Sequence, residues 1–356
     1  MRVLVAPLDW GLGHATRSIP VIRAFLNRGY AVDLAVSGRQ AALFRGEFPQ
    51  LTQIEIPGYS IRYPERGFEM PFWLLKNYGR IANVISEEHD IAEKLVADRG
   101  YDVLFSDNRF GFYSKKAKSV YMTHQARIAF PRPFSLVENI GIAWHRSQMK
   151  HFDRVWIPDF PEYPGMAGKL SHLDRNSDFD YVGLLSRFEL TEPGSLDSKK
   201  YEFMAILSGP EPMRTSFEKK VLVALSKISG EHIVLLGRPG SMDLPQAPQN
   251  VKLFNHLESK DFAEVAKKSR VIISRPGYST VMDMAALGVS SVFVPTPGQT
   301  EQEYLGKALF RINEAGLILQ KDLDSDSLSK MAKEIRRIHL PESAENLLSL
   351  AMDKLT

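Results

Sequence analysis

The sequence contains no cysteine among its 356 residues, and its formal net charge at pH 7 is only +3. The first absence excludes disulfide bonds, thiolate zinc sites and a cysteine nucleophile, and it is typical of a reducing compartment. The small charge gives no indication of a nucleic-acid partner. No apolar stretch approaches the roughly 20 residues of a membrane-spanning helix. We therefore expect a cytoplasmic protein, and peripheral contact with the inner face of a membrane is compatible with this composition.

Strand-like and helix-like segments alternate along the chain in two series. The first series begins at Val3–Ala6 and the second at Phe203–Leu207, and a polar stretch with Pro193 and Gly194 separates them. Such alternation is typical of parallel sheets that helices cover on both faces. The sequence predicts an α/β fold with two Rossmann-like domains, whose mostly parallel sheets face a central cleft with the loops at their carboxyl ends.

The same pattern predicts the domain boundaries. Residues 1–185 form the first predicted domain, residues 186–200 a linker and residues 201–340 the second domain. Residues 341–356 are predicted to form a C-terminal helix, since Ala344–Leu355 is amphipathic. This helix could pack back on the first domain.

The most informative segment combines a strand, a sharp turn and a helix. Val271–Ser274 predicts a short buried strand, and the Arg-Pro-Gly sequence after it predicts a turn that ends at Gly277. Ser279 or Thr280 is predicted to cap a helix that ends at Gly288. A glycine turn at a helix start lets an anion approach backbone N–H groups at the positive end of the helix dipole.

A carboxylate accompanies this predicted anion site. Asp283 lies one helical turn beyond Ser279, on the same face of the helix. A carboxylate can accept hydrogen bonds from ribose hydroxyls, while the helix dipole receives phosphates. The pair therefore indicates a site for a nucleoside diphosphate.

A second loop follows the first predicted strand and contains Gly11 and Gly13, which permit close approach or a positive φ. His14 then lies at the mouth of a helix, where the dipole disfavours the imidazolium form. A neutral imidazole is what a general base requires. His14 is thus a candidate base, the alternative being a hydrogen-bonded surface histidine in a tight turn. Arg17 either binds an acidic group or is an ordinary exposed first-turn residue.

A third loop follows the strand at Ser291–Val294. Glu301, Gln302 and Glu303 open the helix after it, and their side chains can exchange hydrogen bonds with sugar hydroxyls. Acidic residues are also common in first turns because they complement the helix dipole. Alone, this segment does not discriminate a sugar site from a plain helix start.

Together these segments resemble the GT-B glycosyltransferases, in particular the MurG-like branch (glycosyltransferase family 28). The resemblance is fullest over Phe254–Gly316, where the pattern Ser-Arg-x-Gly-x-x-Thr-Val-x-Glu/Asp-x-Ala-Ala-x-Gly is matched nearly throughout. On the acceptor side it implies His14 as the base, in a loop with Gly11, Gly13 and Arg17. The donor-binding residues that it implies are Ser208, Gly209, Arg214, His256, Leu257, Arg275, Gly277, Ser279, Thr280, Asp283, Glu301, Gln302 and Glu303.

The resemblance also implies individual roles. The acidic residue of the family that contacts the donor ribose falls on Asp283, and the turn that contacts the diphosphate falls on Gly277, Ser279 and Thr280. Arg275 or Arg214 would add positive charge there. The glutamine that contacts the donor sugar falls on Gln302. Backbone at about 255–257 would hold the nucleobase of the donor. His124 lies in a segment that resembles the family's His-Glu-Gln region, with a structural role as the alternative.

Two departures from the family pattern affect these expectations. The glycine-rich loop of MurG-like enzymes is reduced to Ser208–Arg214, where Pro210 and Pro212 remove backbone donors. Glu303 stands where MurG has a second glutamine, so the donor sugar need not be N-acetylglucosamine.

The acceptor side carries two segments that mix basic and apolar side chains. The first segment contains large apolar residues flanked by basic ones: Phe68, Met70, Phe72, Trp73 and Leu74, with Arg62, Arg66, Lys76 and Arg80. The second segment, Arg127–Arg154, contains Phe130, Phe134 and Trp144. They could rest on an anionic membrane and meet a lipid-linked acceptor. The alternative is that they line an acceptor cleft or simply pack.

The resemblance implies an inverting hexosyltransferase that needs neither metal nor cofactor. It would move a hexose or N-acetylhexosamine from a nucleotide-diphospho-sugar, with UDP as the expected carrier, to a hydroxyl of a glycan or lipid-linked acceptor. The nearest alternative is a nucleotide-sugar hydrolase of the same fold that uses the His14 loop to activate water. A nucleotide-sugar 2-epimerase and a non-catalytic nucleotide-sugar binding protein are further alternatives.

Overall fold

The computed structural model describes residues 1–9, 12–58, 70–127, 135–172, 179–191, 199–238, 241–334, 336–341 and 346–355. The chain divides into two compact units. Unit 1 consists of Met1–Arg187 and Pro341–Thr356, and unit 2 of Phe188–Leu340.

Unit 1 is built on a parallel sheet. Its strands are β1 (Arg2–Pro7), β2 (Ala31–Val36), β3 (Thr52–Glu55), β4 (Val103–Asp107), β5 (Lys118–Met122), β6 (Arg154–Ile157) and β7 (Asp180–Tyr181). Their spatial order is β3-β2-β1-β4-β5-β6-β7, and each of these pairs is parallel. The apolar residues of β1 and β4 are fully buried, as expected for strands covered on both faces.

In the described ranges, these strands are connected by the helices α1 (Leu12–Asn27), α2 (Arg39–Glu47), α3 (Met70–Arg99) and α4 (Ser135–Met149). In α1, Ile19, Ile22 and Phe25 recur at helical spacing and are buried against the sheet side of the unit. Gly29 follows with φ 75°, a conformation that favours glycine and ends the helix. The sequence predicted a helix after the His14 loop, which is α1, whereas α2 was not anticipated because its residues lack a clear apolar stripe.

Unit 2 repeats the architecture. Its strands are β8 (Tyr201–Ile206), β9 (His232–Leu235), β10 (Val251–Phe254), β11 (Ser269–Ser274), β12 (Ser291–Phe293) and β13 (Gly316–Leu317). Its helices are α5 (Met213–Leu225), α6 (Ser259–Lys267), α7 (Tyr278–Ala286), α8 (Thr300–Arg311) and α9 (Ser325–Met331). The strand order is β10-β9-β8-β11-β12-β13, again with parallel pairs, and a core that includes Phe203, Phe217 and Ile273 lies beneath the helices.

Both sheets follow the Rossmann order, in which the direction of winding reverses beside the first strand. The reversal lies between β1 and β4 in unit 1 and between β8 and β11 in unit 2. Ligands of such sheets bind outside the carboxyl ends of the strands at this point. The predicted α/β class with two Rossmann-like domains and parallel sheets is confirmed.

The stretch predicted as a linker and the last helix each make defined contacts within one unit. Within the stretch predicted as a linker, the Phe188 ring stacks on Phe262 at 5.3 Å, and the Thr191 amide donates to the carbonyl of Ala286. The last helix, α10 (Leu347–Asp353), belongs to unit 1, where Arg28 Nη1 lies 2.7 Å from Asp353 Oδ1.

Candidate active site

In unit 1, a histidine and a carboxylate meet where β1 and β4 end. His14 is in the first turn of α1, directly after the loop that follows β1, and Asp107 is the last residue of β4. The strand register places Asp107 beside Pro7, the last residue of β1. His14 Nδ1 lies 3.1 Å from Asp107 Oδ1. The topology thus brings together two residues that stand far apart in sequence.

Arg17 links these two side chains to a third. Its Nε donates to Asp107 Oδ2 at 2.7 Å, its Nη2 donates to Asp107 Oδ1, and its Nη1 donates to His124 Nδ1 at 2.6 Å. The side chain is 2% exposed. The interpretation of Arg17 as an ordinary exposed residue is therefore wrong, because α1 turns this face toward the end of β4. The acidic group that it binds is Asp107 of the same unit.

The electrostatics of this cluster favour a neutral His14 beside an ionised Asp107. Burial lowers the pKa of His14, the neighbouring Arg17 lowers it further, and the Asp107 carboxylate opposes both. Burial alone would raise the pKa of Asp107, but the charge and hydrogen bonds of Arg17, together with His14, hold it below its ordinary value. An uncharged imidazole is available at neutral pH, as a base requires.

Two neighbours compete for the same nitrogen of His14. Asp107 can only accept a hydrogen bond when ionised, and it favours the tautomer with hydrogen on Nδ1 and a lone pair on Nε2. Arg17 Nη2 lies 2.8 Å from Nδ1 and can only donate, so it favours the opposite tautomer. The tautomer that Asp107 selects is the one in which Nε2 can take a proton.

Of the two loop glycines, Gly13 is the one that the structure describes. Gly13 is the second residue of α1 and does not have a positive φ, so it serves as a helical residue whose carbonyl accepts from Thr16 Oγ1 at 3.0 Å. Gly11 lies outside the described residues.

Sequence reasoning missed Asp107 and the two residues after it. Asn108 has φ 60°, and its Oδ1 accepts from the hydroxyl of Tyr121 at 2.9 Å. Arg109 is fully buried and donates to Glu88 Oε1 at 2.6 Å and to the carbonyl of Pro7 at 2.9 Å. The available signal was a run of polar residues directly after the apolar part of β4, at the end of the sheet where sites form.

In unit 2, α7 begins without a side-chain cap. Its cap residue is Gly277, with φ −71° and ψ 144°, and its first turn contains no acidic residue. The prediction that Ser279 or Thr280 caps the helix is wrong. An extended glycine serves as cap, so the helix begins at Tyr278 and both hydroxyl residues lie inside its first turn, partly exposed. Asp283, one turn further, is buried.

The start of α5, by contrast, already holds a carboxylate. Glu211 Oε2 accepts from the backbone N–H of Thr215 at 3.1 Å, which satisfies a first-turn donor of this helix. Arg214 is bonded to Glu211 and Glu218, at 2.7 Å and 2.8 Å, and Arg238 shares Glu218 at 3.0 Å. The positive charge of Arg214 is therefore paired within the unit.

The loop around α5 and the end of β10 carry further predicted donor residues. Ser208 and Gly209 follow β8, and Gly209 has φ 109° with open space at the position of a Cβ. His256 and Leu257 follow β10 and are at least partly exposed. These residues lie at the carboxyl end of the same sheet as α7.

The start of α8 is fixed by its own side chains. Gln302 Oε1 accepts from the Thr296 amide at 2.9 Å, and Glu303 Oε1 accepts from the Gly298 amide at 3.0 Å. Gln299 caps the helix by accepting from the Gln302 amide. With Oε1 engaged, the side-chain nitrogen of Gln302 is the atom that can donate to a ligand. Glu301 lies in the same first turn.

The side chain of Arg275 is directed toward neighbouring loops of unit 2. Its guanidinium donates to the carbonyls of Val294 and Pro295, at 2.7 Å and 2.9 Å, and to Gln320. It therefore binds the loop after β12 and the turn after β13.

Parts of the predicted acceptor side lie outside the described residues, among them 61–69, Phe130 and Phe134, as do the side chains of 70–76. Trp144 packs edge-on against Phe110 at 5.2 Å, and Arg80 is exposed on α3. No helix in the described ranges combines the length and apolarity needed to cross a membrane. Within those ranges, no three histidine or acidic side chains are grouped so as to hold a metal ion.

Comparison with known proteins agrees with this architecture. Residues 220–349 match the glycosyltransferase family 28 C-terminal domain. A glycosyltransferase of Methanosarcina acetivorans is 23% identical over 321 residues, which cover 85% of this chain and 82% of the relative. The UDP-N-acetylglucosamine--N-acetylmuramyl-(pentapeptide) pyrophosphoryl-undecaprenol N-acetylglucosamine transferase of Haemophilus influenzae is 28% identical over 179 residues, 48% of each chain. The structure of Acinetobacter baumannii MurG superposes with a TM-score of 0.55 at 15% identity, over 99% of both chains.

The strand order of the two units and the match to solved structures show the GT-B fold, and the family 28 match together with the curated relatives shows a glycosyltransferase. More closely, residues 220–349 match the family 28 C-terminal domain and the chain is similar to MurG-like enzymes, so the predicted resemblance is confirmed. α7 and its flanking loops lie within the matched region.

Proposed function

We propose that this protein is a metal-independent, inverting glycosyltransferase that moves a hexose or N-acetylhexosamine from a nucleotide-diphospho-sugar to an acceptor hydroxyl. The start of α7 carries the proposal: within the region that matches the family 28 domain, this helix opens with a glycine cap and no carboxylate in its first turn. A helix end of this kind attracts an anion of the charge of a diphosphate.

Unit 2 is proposed to bind the donor. Backbone N–H groups at the start of α7, with the hydroxyls of Ser279 and Thr280, would receive the diphosphate. Asp283 would accept from the ribose, and the side-chain nitrogen of Gln302 would donate to a sugar hydroxyl. The helix dipole would stabilise the charge on the leaving diphosphate, which is why the proposal includes no metal ion.

Unit 1 is proposed to supply the general base, His14. The acceptor oxygen forms a bond to the anomeric carbon, and its proton passes to Nε2 of His14. The bond between the anomeric carbon and the phosphate oxygen breaks, and its electron pair leaves with the nucleoside diphosphate. Asp107 would hold His14 in the required tautomer and stabilise the imidazolium that forms. A single displacement inverts the anomeric configuration.

The nucleobase of the donor and the identity of the acceptor are proposed by analogy. The Haemophilus influenzae relative is named for a UDP-linked donor and an undecaprenol-linked acceptor. We extend UDP and a lipid-linked glycan to this chain, together with contact between the segment around Arg62–Arg80 and an anionic membrane. Co-sedimentation with anionic vesicles would test that contact, and failure to bind them would remove it.

One assay tests transfer itself. The protein is incubated with a panel of UDP-, dTDP- and GDP-sugars, with and without a lipid extract and with EDTA, and nucleoside diphosphate release and product masses are measured. We expect release that depends on the extract, survives EDTA and accompanies a new glycoside. Free sugar released without the extract would support the hydrolase alternative, and no release from any donor would contradict the proposal.

A further inference from the structure

The side chain of Arg275 connects several elements of unit 2. Although its backbone belongs to the turn before α7, its Nη1 donates to the carbonyls of Val294 and Pro295 at the end of β12. Its Nη2 donates to Gln320 Oε1 at 2.5 Å, and the guanidinium carbon lies 4.0 Å from the ring centre of Phe217 in α5. The residue is 1% exposed.

A second set of contacts joins the same elements. A Cβ at Gly306 of α8 would come within 3.3 Å of Pro295 Cγ and 3.5 Å of Pro276 Cγ, so α8 packs closely on the prolines of both loops. Gln320 Nε2 in turn donates to Ser216 Oγ of α5 at 3.1 Å. Glycine at 306 and the Arg275–Gln320 pair therefore fix the loop after β12 relative to the turn before α7.

The partners of the buried Arg275 guanidinium are neutral. Burial lowers its pKa to about 10, which leaves it charged at neutral pH. Hydrogen bonds from a charged donor are stronger than those between neutral groups, and the planar guanidinium can hold two carbonyls and an amide at once. The loop that it holds continues into Gln302 and Glu303, which the resemblance places at the donor sugar.

We propose that Arg275 and Gln320 form a clamp that positions residues 294–303, the loop after β12 and the first turn of α8, for the donor sugar, and that Arg275 makes no contact with the donor diphosphate. This inference rests on the proposed function. Arg275 is a positioning residue in this account, and it acts through the loop that it holds.

Comparison of UDP with an intact UDP-sugar separates the clamp from a phosphate contact. The variants are Arg275→Met and, as a control, Arg270→Met, since Arg270 stands near the other end of the same strand and bonds to Glu202. With the UDP-sugar that the panel identifies, we expect Arg275→Met to weaken binding about tenfold and to lower kcat further, because a misplaced sugar loses its reactive geometry. UDP binding should change less than about twofold, since the α7 backbone holds the diphosphate.

Gln320→Met provides a second test that leaves Arg275 in place, in case the arginine variant does not fold. It should show the same selective loss for the UDP-sugar, at about threefold. Equal losses of affinity for UDP and UDP-sugar would identify a diphosphate contact and overturn the clamp. Unchanged binding of both ligands in folded variants would also overturn the clamp. If wild-type protein binds no nucleotide or nucleotide-sugar, the proposed function itself fails, and the clamp fails with it.

Discussion

At the carboxyl end of the unit 1 sheet, the buried carboxylate of Asp107 meets the buried guanidinium of Arg17, and a neutral His14 lies beside them. At the carboxyl end of the unit 2 sheet, the buried guanidinium of Arg275 meets carbonyl and amide oxygens, and α7 begins without a carboxylate. The first arrangement balances charge internally and suits proton transfer. The second presents the positive end of a helix dipole with no acidic residue in its first turn, which suits an incoming anion.

The same contrast occurs within unit 2. The start of α5 is occupied by Glu211, and that of α8 is capped by Gln299 and carries Glu301 and Glu303. α7 differs from both, although all three helices follow strands of one sheet. Helix starts at this edge of the sheet are thus not equivalent: Glu211 accepts from a first-turn amide of α5 and Gln299 caps α8, whereas α7 begins at a glycine cap with no acidic residue in its first turn.

The largest effect is expected from removal of the base. His14→Ala should lower turnover about 1000-fold, because the proposed acceptor of the proton is lost, while donor affinity stays unchanged. Steady-state kinetics and calorimetric titration of UDP measure the two quantities. His339→Ala, which changes an exposed histidine, is the matched control. Activity near wild type would exclude His14 as the general base. Unit 1 could then no longer be distinguished from unit 2 as the unit that takes the proton.

Asp107→Asn should lower kcat about 100-fold. The amide cannot stabilise the imidazolium and no longer selects the tautomer with hydrogen on Nδ1. Asp102→Asn is the control, because Asp102 stands just before the opposite end of β4, where it accepts from the Arg2 amide. If both variants lose the same amount of activity, the effect of Asp107 is on folding, and a thermal melt would show it.

Asp283→Asn should raise the KM for the donor about tenfold and affect kcat little, since the lost hydrogen bonds to the ribose are the same in the ground and transition states. Initial rates over a range of donor concentrations measure this. A fall in kcat at constant KM would place Asp283 in the chemical step and remove the proposed ribose contact.

Arg17→Gln should move the acidic limb of the kcat/KM profile to higher pH. Arg17 lowers the pKa of His14, so its removal raises that pKa, and a larger fraction of His14 is protonated and inactive at a given acidic pH. Rates between pH 5 and pH 9 test the direction of the shift. A limb that stays in place would mean that a group other than His14 is titrating.

The sequence predicted much of this, and its failures have physical causes. The apolar strands are local signals, so the Rossmann-like units could be predicted directly, whereas the diphosphate site at the glycine turn before α7 stays a prediction. Asp107 was missed because its partner is 93 residues away and only the parallel register of β1 and β4 brings them together. The hydrogen bonds of Arg275 to Val294, Pro295 and Gln320 were not predicted because the direction of a side chain depends on tertiary packing.

The central claim is that the start of α7 binds the donor diphosphate. Calorimetric titration of UDP into Ser279→Asp, which places a carboxylate in the first turn of α7, tests it most directly, with Ser325→Asp in the first turn of α9 as the control. Like-charge repulsion should weaken UDP binding at least about 20-fold in the first variant and less than twofold in the second. Wild-type affinity for UDP in Ser279→Asp would contradict the account.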